Sequence, residues 1–171
     1  QYRQELLSKC FDLFAEKSFA QVTTRQIAQE LGVSTGTLYH YFPNKQILFE
    51  QLAQQVSLQD VEIIAQIDNN QSVTDKITAL GQLLIENQEY IVKQAAIWLD
   101  FRQQISAQEV KHNLVFQQID DRYEQAIAEL LDLKDVKLAK LIWTLIDGIS
   151  ISQIDHDESS FATQVELLIQ M

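Results

Sequence analysis

Residues 23–45, TTRQIAQELGVSTGTLYHYFPNK, contain two short helical patterns separated by one glycine and followed by the only proline of the chain. Thr23 is followed three residues later by Gln26, a capping-box spacing that predicts a helix start. Gly32 follows the last apolar residue of that pattern and predicts a left-handed helix end. Pro43 cannot continue the second pattern. Two short helices joined by a turn that contains glycine predict a helix-turn-helix.

The second helix, expected over residues 35–42 with Ser34 as its N-cap, has a polar outer surface. At 100° per residue, Leu38 and Phe42 point inward, whereas the opposite face carries small, polar and aromatic residues. No carboxylate occurs from residue 33 to residue 42. A helix that enters the major groove and hydrogen-bonds to bases and phosphates is expected to have such a face. The pattern alone leaves a solvated helical hairpin as the alternative.

The residues that we expect to contact DNA point outward on these two helices or lie at the start of the next one. Glycine lets the backbone approach closely, and side chains together with free N–H groups at helix starts hold phosphates. The candidates are Thr24, Arg25, Thr35, Gly36, Thr37, Tyr39, His40, Tyr41 and Lys45.

The charge is distributed unevenly. The formal net charge of the 171 residues is −11, which by itself argues against a nucleic-acid partner. Residues 1–50 contain five basic and five acidic residues, however, and all the net negative charge lies in residues 51–171. The N-terminal part is therefore able to approach a polyanion.

Helical patterns occupy the rest of the chain, and no strand alternation competes with them. They are expected at residues 2–18, 45–67, 73–88, 90–105, 107–132, 136–153 and 160–171, with Asn44 capping the second and a linker at residues 68–72. The fold class is therefore all-α, with about nine helices.

Residues from about 5 to 55 resemble the TetR family of transcriptional regulators. The residues that carry the resemblance are Phe19, Arg25, Ile27, Ala28, Gly32, Val33, Gly36, Leu38, Tyr39, Tyr41, Phe42 and Lys45. The resemblance implies a cytoplasmic homodimer with a DNA-binding domain at residues 1–48 and a helical ligand-binding and dimerisation domain at residues 49–171. It also implies double-stranded operator DNA and a small-molecule inducer as partners. The chain after residue 51 resembles no particular subfamily.

The segment 136–153 is apolar on two faces and so needs two burial partners. The resemblance implies that one partner is a second subunit, in a four-helix bundle made by the last two helices of each chain. The residues expected at this interface are Leu138, Leu141, Leu145, Ile149, Phe161, Val165 and Leu168. A single deeply buried helix of a monomer is the alternative.

Two polar residues follow inward-facing stripes of the body, Arg102 on one helix and His112 on the next. An apolar and aromatic cavity with a few polar groups suits a small molecule, and Arg102 suggests that this molecule carries a negative charge. The expected ligand-binding residues are Tyr90, Trp98, Arg102, His112, Phe116 and Trp143. An internal Arg–carboxylate pair and a core histidine are the alternative.

Other chemistry is sparse. No histidine lies at helical metal-ligand spacing from another His or Cys, and no catalytic motif is present, so we expect no metal, no cofactor and no enzyme activity. The acidic segment at residues 155–158 caps the last helix or binds a cation. Cys10 is expected to be a core thiol.

No apolar run is long enough to span a membrane. Because the sequence begins at Gln1, we expect further residues to precede it.

Three functions remain at this stage. The first is a repressor that a small molecule releases from a palindromic operator. The second is a DNA-binding architectural or cell-division protein on the same scaffold that needs no ligand. The third, an enzyme with an incidental helix-turn-helix, is the weakest because a catalytic set is missing.

Overall fold

The computed structural model describes residues 1–155 and 159–171. In these residues the chain forms ten α-helices, one short 3-10 helix at Gln153–Asp155 and no strand. The α-helices are α1 (Tyr2–Glu16), α2 (Thr24–Leu31), α3 (Thr35–Tyr41), α4 (Lys45–Ile64), α5 (Val73–Glu86), α6 (Gln88–Arg102), α7 (Ala107–His112), α8 (Leu114–Leu130), α9 (Val136–Ser152) and α10 (Ser159–Gln170). The predicted all-α class is confirmed. No described helix combines the length and the apolar character needed to cross a membrane.

The single helix expected over residues 107–132 is wrong, because the chain breaks at Asn113. The Asn113 backbone is extended, with ψ at 113°. Its side-chain Oδ1 accepts hydrogen bonds from the N–H groups of Val115 at 2.9 Å and Phe116 at 3.3 Å. An asparagine that satisfies these donors starts a new helix at Leu114. This break raises the number of described α-helices to ten, where about nine were expected.

The chain divides into two compact units. The first unit contains residues 1–58 and 97–119, and the second contains residues 59–96 and 120–171. Helices α4, α6 and α8 each contribute residues to both units. The division of function expected after residue 48 stays a prediction, whereas the packing assigns residues 97–119 to the same unit as the N-terminal helices.

Aromatic side chains form the core of the first unit. Phe101 of α6 is fully buried and stacks on Phe49 of α4, with 3.9 Å between ring centroids. The edge of Phe19 meets Phe101 at 4.9 Å, and Phe14 of α1 contacts both Phe19 and Phe49. Stacked and edge-to-face pairs add specific geometry to the burial of apolar area. The cluster fixes α1, α4 and α6 as a frame, and α2 packs against α1 and α3.

Cys10 of α1 belongs to the same core and is fully buried. Burial raises the pKa of its thiol to about 12. A buried protonated thiol behaves as a small hydrophobic side chain, so the prediction of a core cysteine is confirmed.

An aliphatic core holds the second unit together. Its buried members lie on α5, α8 and α9 and in the turn after α8; they are Leu80, Ile127, Leu130, Leu131, Ala139 and Ile146. Helix α10 packs against α5 at Gly81, where an added Cβ would lie 2.9 Å from Ile169 Cγ1. A Cβ at position 81 would therefore require the Ile169 side chain to shift.

The assignment of Phe161 and Val165 to a dimer interface is wrong. Both side chains are buried within their own chain, with 1 % and 2 % of their surface exposed. The side chain of Val165 lies on α10 close to Gly81 of α5, which explains why it faces inward. The apolar pattern of α10 identifies residues that need burial, but it does not say which chain buries them.

Candidate DNA-binding surface

The predicted caps of the two short helices are confirmed. Thr23 and Gln26 form a capping box, in which the Thr23 N–H donates to Gln26 Oε1 at 2.8 Å and Thr23 Oγ1 accepts from the Gln26 N–H at 3.2 Å. Gly32 ends α2 in the left-handed region, with φ at 70°. Ser34 caps α3 by accepting from the Thr37 N–H at 3.0 Å. These local bonds hold two helices that are too short to be stable in isolation.

Helix α3 turns its apolar residues inward and its polar residues outward, as the helical wheel predicts. Leu38 and Phe42 are buried. The exposed residues of α3 are Thr35, Gly36, Tyr39 and His40, and Thr37 and Tyr41 are half-buried. The nearest carboxylates in the sequence are Glu30 and Glu50. The outer face of α3 therefore offers hydroxyl, imidazole and backbone groups without a negative charge.

Gly36 leaves an open site on this face. Apart from the adjacent residues and the backbone of the helix itself, the only described atom within 4 Å of an added Cβ is Ser34 Oγ, at 3.8 Å, which is ordinary van der Waals contact. The part of the chain that the structure describes therefore leaves space for a Cβ at this position, and glycine in a helix costs about 1 kcal/mol relative to alanine. Glycine at this exposed position leaves room for a partner to approach the α3 backbone closely.

Two hydroxyl groups connect the start of α2 to α3. Thr24 Oγ1 and Tyr39 Oη lie 3.0 Å apart, and either atom is able to donate. This bond orients the Tyr39 ring, which is otherwise exposed. Arg25 is also exposed beside Thr24. The start of α2 and the outer face of α3 thus form one polar surface.

Lys45 has a structural role that the sequence pattern does not indicate. Its ammonium group donates to the carbonyl oxygens of Phe19 at 2.5 Å and Val22 at 3.0 Å, and it lies 4.3 Å from the centroid of the Phe19 ring. Burial lowers the Lys45 pKa, and the charge of Asp100 opposes this shift. Lys45 therefore holds the turn between α1 and α2, and its expected contact with DNA phosphate stays a prediction.

Asp100 of α6 holds the same turn from another side. Its carboxylate accepts from the Phe19 N–H at 2.7 Å and from Ser18 Oγ at 3.3 Å. Hydrogen bonds to charged groups are stronger than those between neutral groups. Lys45 and Asp100 together position the α1–α2 turn, which precedes α2.

We expect Lys45→Met to destabilise the protein by about 1–3 kcal/mol, because two charge-assisted hydrogen bonds to carbonyl groups are lost. Lys17→Met is the matched control, since Lys17 is exposed and makes only a 3.6 Å surface ion pair with Glu30. Its cost should stay within about 0.5 kcal/mol. Denaturant unfolding of both variants measures the difference in stability. Equal stabilities would show that the two Lys45 hydrogen bonds do not stabilise the fold.

The expected interior positions of Arg102 and His112 are wrong, because both side chains are exposed. Helix α6 ends at Arg102, and Phe101 takes the inward position with no exposed surface. His112 ends α7, and its Nδ1 lies 2.7 Å from the Gln108 carbonyl oxygen of the same helix. Neither residue supplies a polar group to an interior cavity.

The other expected ligand residues lie in different units. Trp98 meets Phe116 edge to face at 4.7 Å in the first unit. Trp143 stacks on Tyr123 at 4.1 Å in the second unit, which also contains the half-buried Tyr90. A ligand-binding role for these residues stays a prediction.

The second unit contains a polar cluster that was not predicted from the sequence. It consists of Asp60 on α4, Gln94 on α6 and Tyr123 on α8. A signal was present, because Asp60 continues the i, i+4 apolar stripe of Leu52 and Val56 on α4. A carboxylate on such a stripe faces the interior.

The expected dimer residues on α9 are exposed. Leu138, Leu141 and Leu145 are exposed on the chain, and Ile149 of α9 and Leu168 of α10 are half-buried. Three exposed leucines on successive turns of one helix form an apolar stripe that water contacts unfavourably. Their role in dimerisation stays a prediction.

No group of three or more His, Cys, Asp or Glu side chains suited to a metal ion occurs in the part of the chain that the structure describes. In the acidic segment expected to cap α10 or bind a cation, residues 156–158 lie outside the described residues.

Comparison with known proteins agrees with this geometry. The family model for bacterial regulatory proteins of the tetR family matches residues 6–52, which include most of α1, all of α2 and α3, and the start of α4. The HTH-type transcriptional regulator YvkB of Bacillus subtilis (strain 168) is 27 % identical over 128 residues, 75 % of this chain and 62 % of YvkB. The nucleoid occlusion factor SlmA of Mannheimia succiniciproducens is 40 % identical over 55 residues, 32 % of this chain and 26 % of SlmA. The chain thus spans less than two thirds of the length of either relative.

A solved structure shares the fold over nearly the whole chain. A protein of Saccharomonospora viridis in complex with choline has a TM-score of 0.76 at 19 % identity, and the match covers 98 % of this chain and 95 % of that chain.

Proposed function

Because the chain belongs to the TetR family of bacterial regulatory proteins, we propose that it is a transcriptional repressor that binds a palindromic operator as a homodimer. A small-molecule inducer releases it from that operator. The observation that carries the proposal is the open, carboxylate-free outer face of α3, with an exposed glycine at which the described residues leave space for a Cβ.

Helix α3 reads the bases in the major groove. Thr35, Tyr39 and His40 bring donors and acceptors to base edges and phosphates, and Gly36 allows the helix backbone to approach the groove floor. Arg25 and the free N–H groups at the start of α2 hold the DNA backbone on one side. Phosphate contacts set the register of α3, and base contacts select the sequence.

A homodimer presents two copies of the recognition helix α3 to the DNA. The exposed leucine stripe of α9, formed by Leu138, Leu141 and Leu145, supplies an apolar surface for a two-fold contact with a second copy. Two copies of α3 then enter successive major grooves about 34–36 Å apart or a multiple of that distance, so the operator is palindromic.

The test is selection of bound duplexes from a random library by the intact chain, followed by gel shifts on the selected sequence. We expect an inverted repeat, and we expect that scrambling one half-site lowers the affinity by about 100-fold or more. Binding without sequence preference, or to a single half-site with full affinity, would contradict the proposal.

Release by a ligand requires that the ligand prefers the conformation that does not bind DNA, since equal affinity for both conformations shifts nothing. For a tenfold loss of operator affinity, the ligand's binding free energies for the two conformations must differ by about 1.4 kcal/mol. Efficient release needs several times that difference. The choline complex of the Saccharomonospora viridis protein supports this part, because a protein of the same fold holds a small molecule.

A DNA-binding protein without an inducer is the second candidate, and the similarity to the nucleoid occlusion factor SlmA favours it. Operator binding that no small molecule changes would support this candidate over the inducible repressor. In either case we propose that the chain catalyses no reaction.

A further inference from the structure

A partly buried carboxylate lies in the second unit, where α4, α6 and α8 each contribute one polar side chain. The Tyr123 hydroxyl group donates to Asp60 Oδ2 at 2.5 Å. Gln94 Nε2 donates to the same oxygen at 3.0 Å and to the Tyr123 hydroxyl oxygen at 3.2 Å. We call Asp60, Gln94, Tyr123 and the two aromatic neighbours Tyr90 and Trp143 the Asp60 cluster. All five residues belong to the second unit.

The second carboxylate oxygen of Asp60 is open. Both hydrogen bonds fall on Oδ2, whereas Oδ1 accepts none from the described residues and is not enclosed. No cationic side chain of the described residues lies within ion-pair distance of this carboxylate. Burial raises the Asp60 pKa, and the bonds from Tyr123 and Gln94 only partly oppose this. Among the described residues, the cluster therefore combines a partly buried carboxylate with no cationic side chain within ion-pair distance of it.

Aromatic rings lie beside this carboxylate, because Tyr123 donates to it and Trp143 stacks on Tyr123. Trp143 stacks on Tyr123 with 4.1 Å between ring centroids and 8° between the ring planes. Tyr90 lies close enough that the Asp60 charge, after burial, helps to raise its pKa to about 12. Tyr90, Gln94 and Trp143 are only partly buried, so the cluster is accessible from solvent.

A carboxylate beside aromatic faces is the chemistry that recognises an organic ammonium ion. The carboxylate neutralises the charge, and the ring faces attract the same cation through their quadrupoles. An anionic ligand would meet repulsion from Asp60 and would find neither Arg102 nor His112 in the interior, because both are exposed.

We propose that the Asp60 cluster is a binding site for an organic cation, with Asp60 Oδ1 facing the ammonium group and the rings of Tyr90 and Trp143 contacting its alkyl groups. This inference rests on the proposed function, because it names the chemical class of the inducer. It replaces the anionic ligand expected from the sequence.

The same helices carry the residues that hold the DNA-binding helices in place. Asp60 and Lys45 are both on α4, and Gln94 and Asp100 are both on α6. Lys45 and Asp100 bind the turn between α1 and α2. If the proposed cation is the inducer, we expect its effect to pass along α4 and α6, since each of these helices contributes residues to both units.

The test is isothermal titration calorimetry of the intact chain with choline and with benzyltrimethylammonium. The uncharged control ligand is 3,3-dimethylbutan-1-ol, which has the shape of choline without its charge. We expect saturable binding of at least one cation and an affinity for the uncharged analogue that is lower by about tenfold or more.

Two matched variants separate the charge of Asp60 from its structural role. In Asp60→Asn the amide oxygen still accepts from Tyr123 and Gln94, so the fold is kept while the charge is lost. We expect this variant to bind the cation about tenfold or more weakly and to have an unchanged or higher melting temperature at neutral pH. Glu62→Gln removes one charge from an exposed position of the same helix and should bind within about twofold of wild type.

Trp143→Leu tests the site independently of Asp60→Asn. It should weaken binding of the cation more than binding of the uncharged analogue. Folded wild-type protein that binds neither cation would overturn the inference. Equal binding of charged and uncharged ligands, or full cation affinity in Asp60→Asn, would overturn it as well.

Operator binding is measured in a separate gel shift, which distinguishes this inference from the proposed function. Cation binding together with operator release supports both. Cation binding that leaves operator affinity unchanged supports the site and contradicts its role as the inducer site. If the ligand-free protein does not recognise an operator, this result contradicts the proposed function and leaves the cation site untouched.

Discussion

Replacing Leu141 by glutamate is expected to convert the proposed homodimer into monomers and to lower affinity for the proposed operator by about 100-fold or more. Leu141 is 54 % exposed on the chain, so a charge at this position costs little in the folded monomer. In a two-fold interface each copy would bury an unpaired carboxylate, which costs several kcal/mol. A monomer has one recognition helix and loses the gain in affinity that comes from linking two half-site contacts.

Leu114→Glu is the matched control for this variant. Leu114 is also an exposed leucine, at 70 %, but it lies at the start of α8 and not on the α9 stripe. Light scattering should find a monomer for Leu141→Glu and a dimer for both Leu114→Glu and wild type. A wild-type chain that is monomeric at micromolar concentration, or a dimeric Leu141→Glu variant, would refute the α9 interface.

Gly36→Leu is expected to abolish specific DNA binding while keeping or raising the stability of the folded chain. Leucine has a higher helix propensity than glycine, by somewhat less than 1 kcal/mol. Among the described residues an added Cβ at this position meets only Ser34 Oγ at 3.8 Å, and because position 36 is exposed, the rest of the leucine side chain can extend into solvent. If α3 enters the major groove, the same side chain occupies the space through which the helix backbone approaches the bases.

Gly36→Ala provides the graded comparison for this prediction. It gains about 1 kcal/mol of helix propensity and should weaken operator binding less than the leucine variant does. Thermal unfolding and gel shifts on the same preparations report the two effects separately. A Gly36→Leu protein that binds the operator with wild-type affinity would show that α3 does not enter the groove along this face.

The local features of the DNA-binding helices were predictable because they depend on neighbouring residues. The capping box at Thr23, the left-handed Gly32 and the cap at Ser34 each involve groups within a few positions of one another. The inward positions of Leu38 and Phe42 follow from the helical period alone. These features can be predicted without knowing how any distant part of the chain packs.

Predictions that depended on which distant residues come together were less successful. Arg102 was expected in the interior because an apolar stripe led to it, but α6 ends there and Phe101 packs inward on Phe49. The apolar stripe of α10 identified Phe161 and Val165 as residues that need burial. They were expected at a dimer interface, but both are buried within their own chain.

The sequence by itself determined the all-α class, the two short helices with their caps and the polar outer face of α3, because helix period and capping act within a few residues. Only the tertiary structure decided that Lys45 binds the carbonyl groups of Phe19 and Val22. It also decided that Asp60 meets Gln94 and Tyr123, which are 34 and 63 residues away in sequence. Such contacts depend on how whole helices pack, and packing is set by the sum of many side-chain contacts that no local pattern contains.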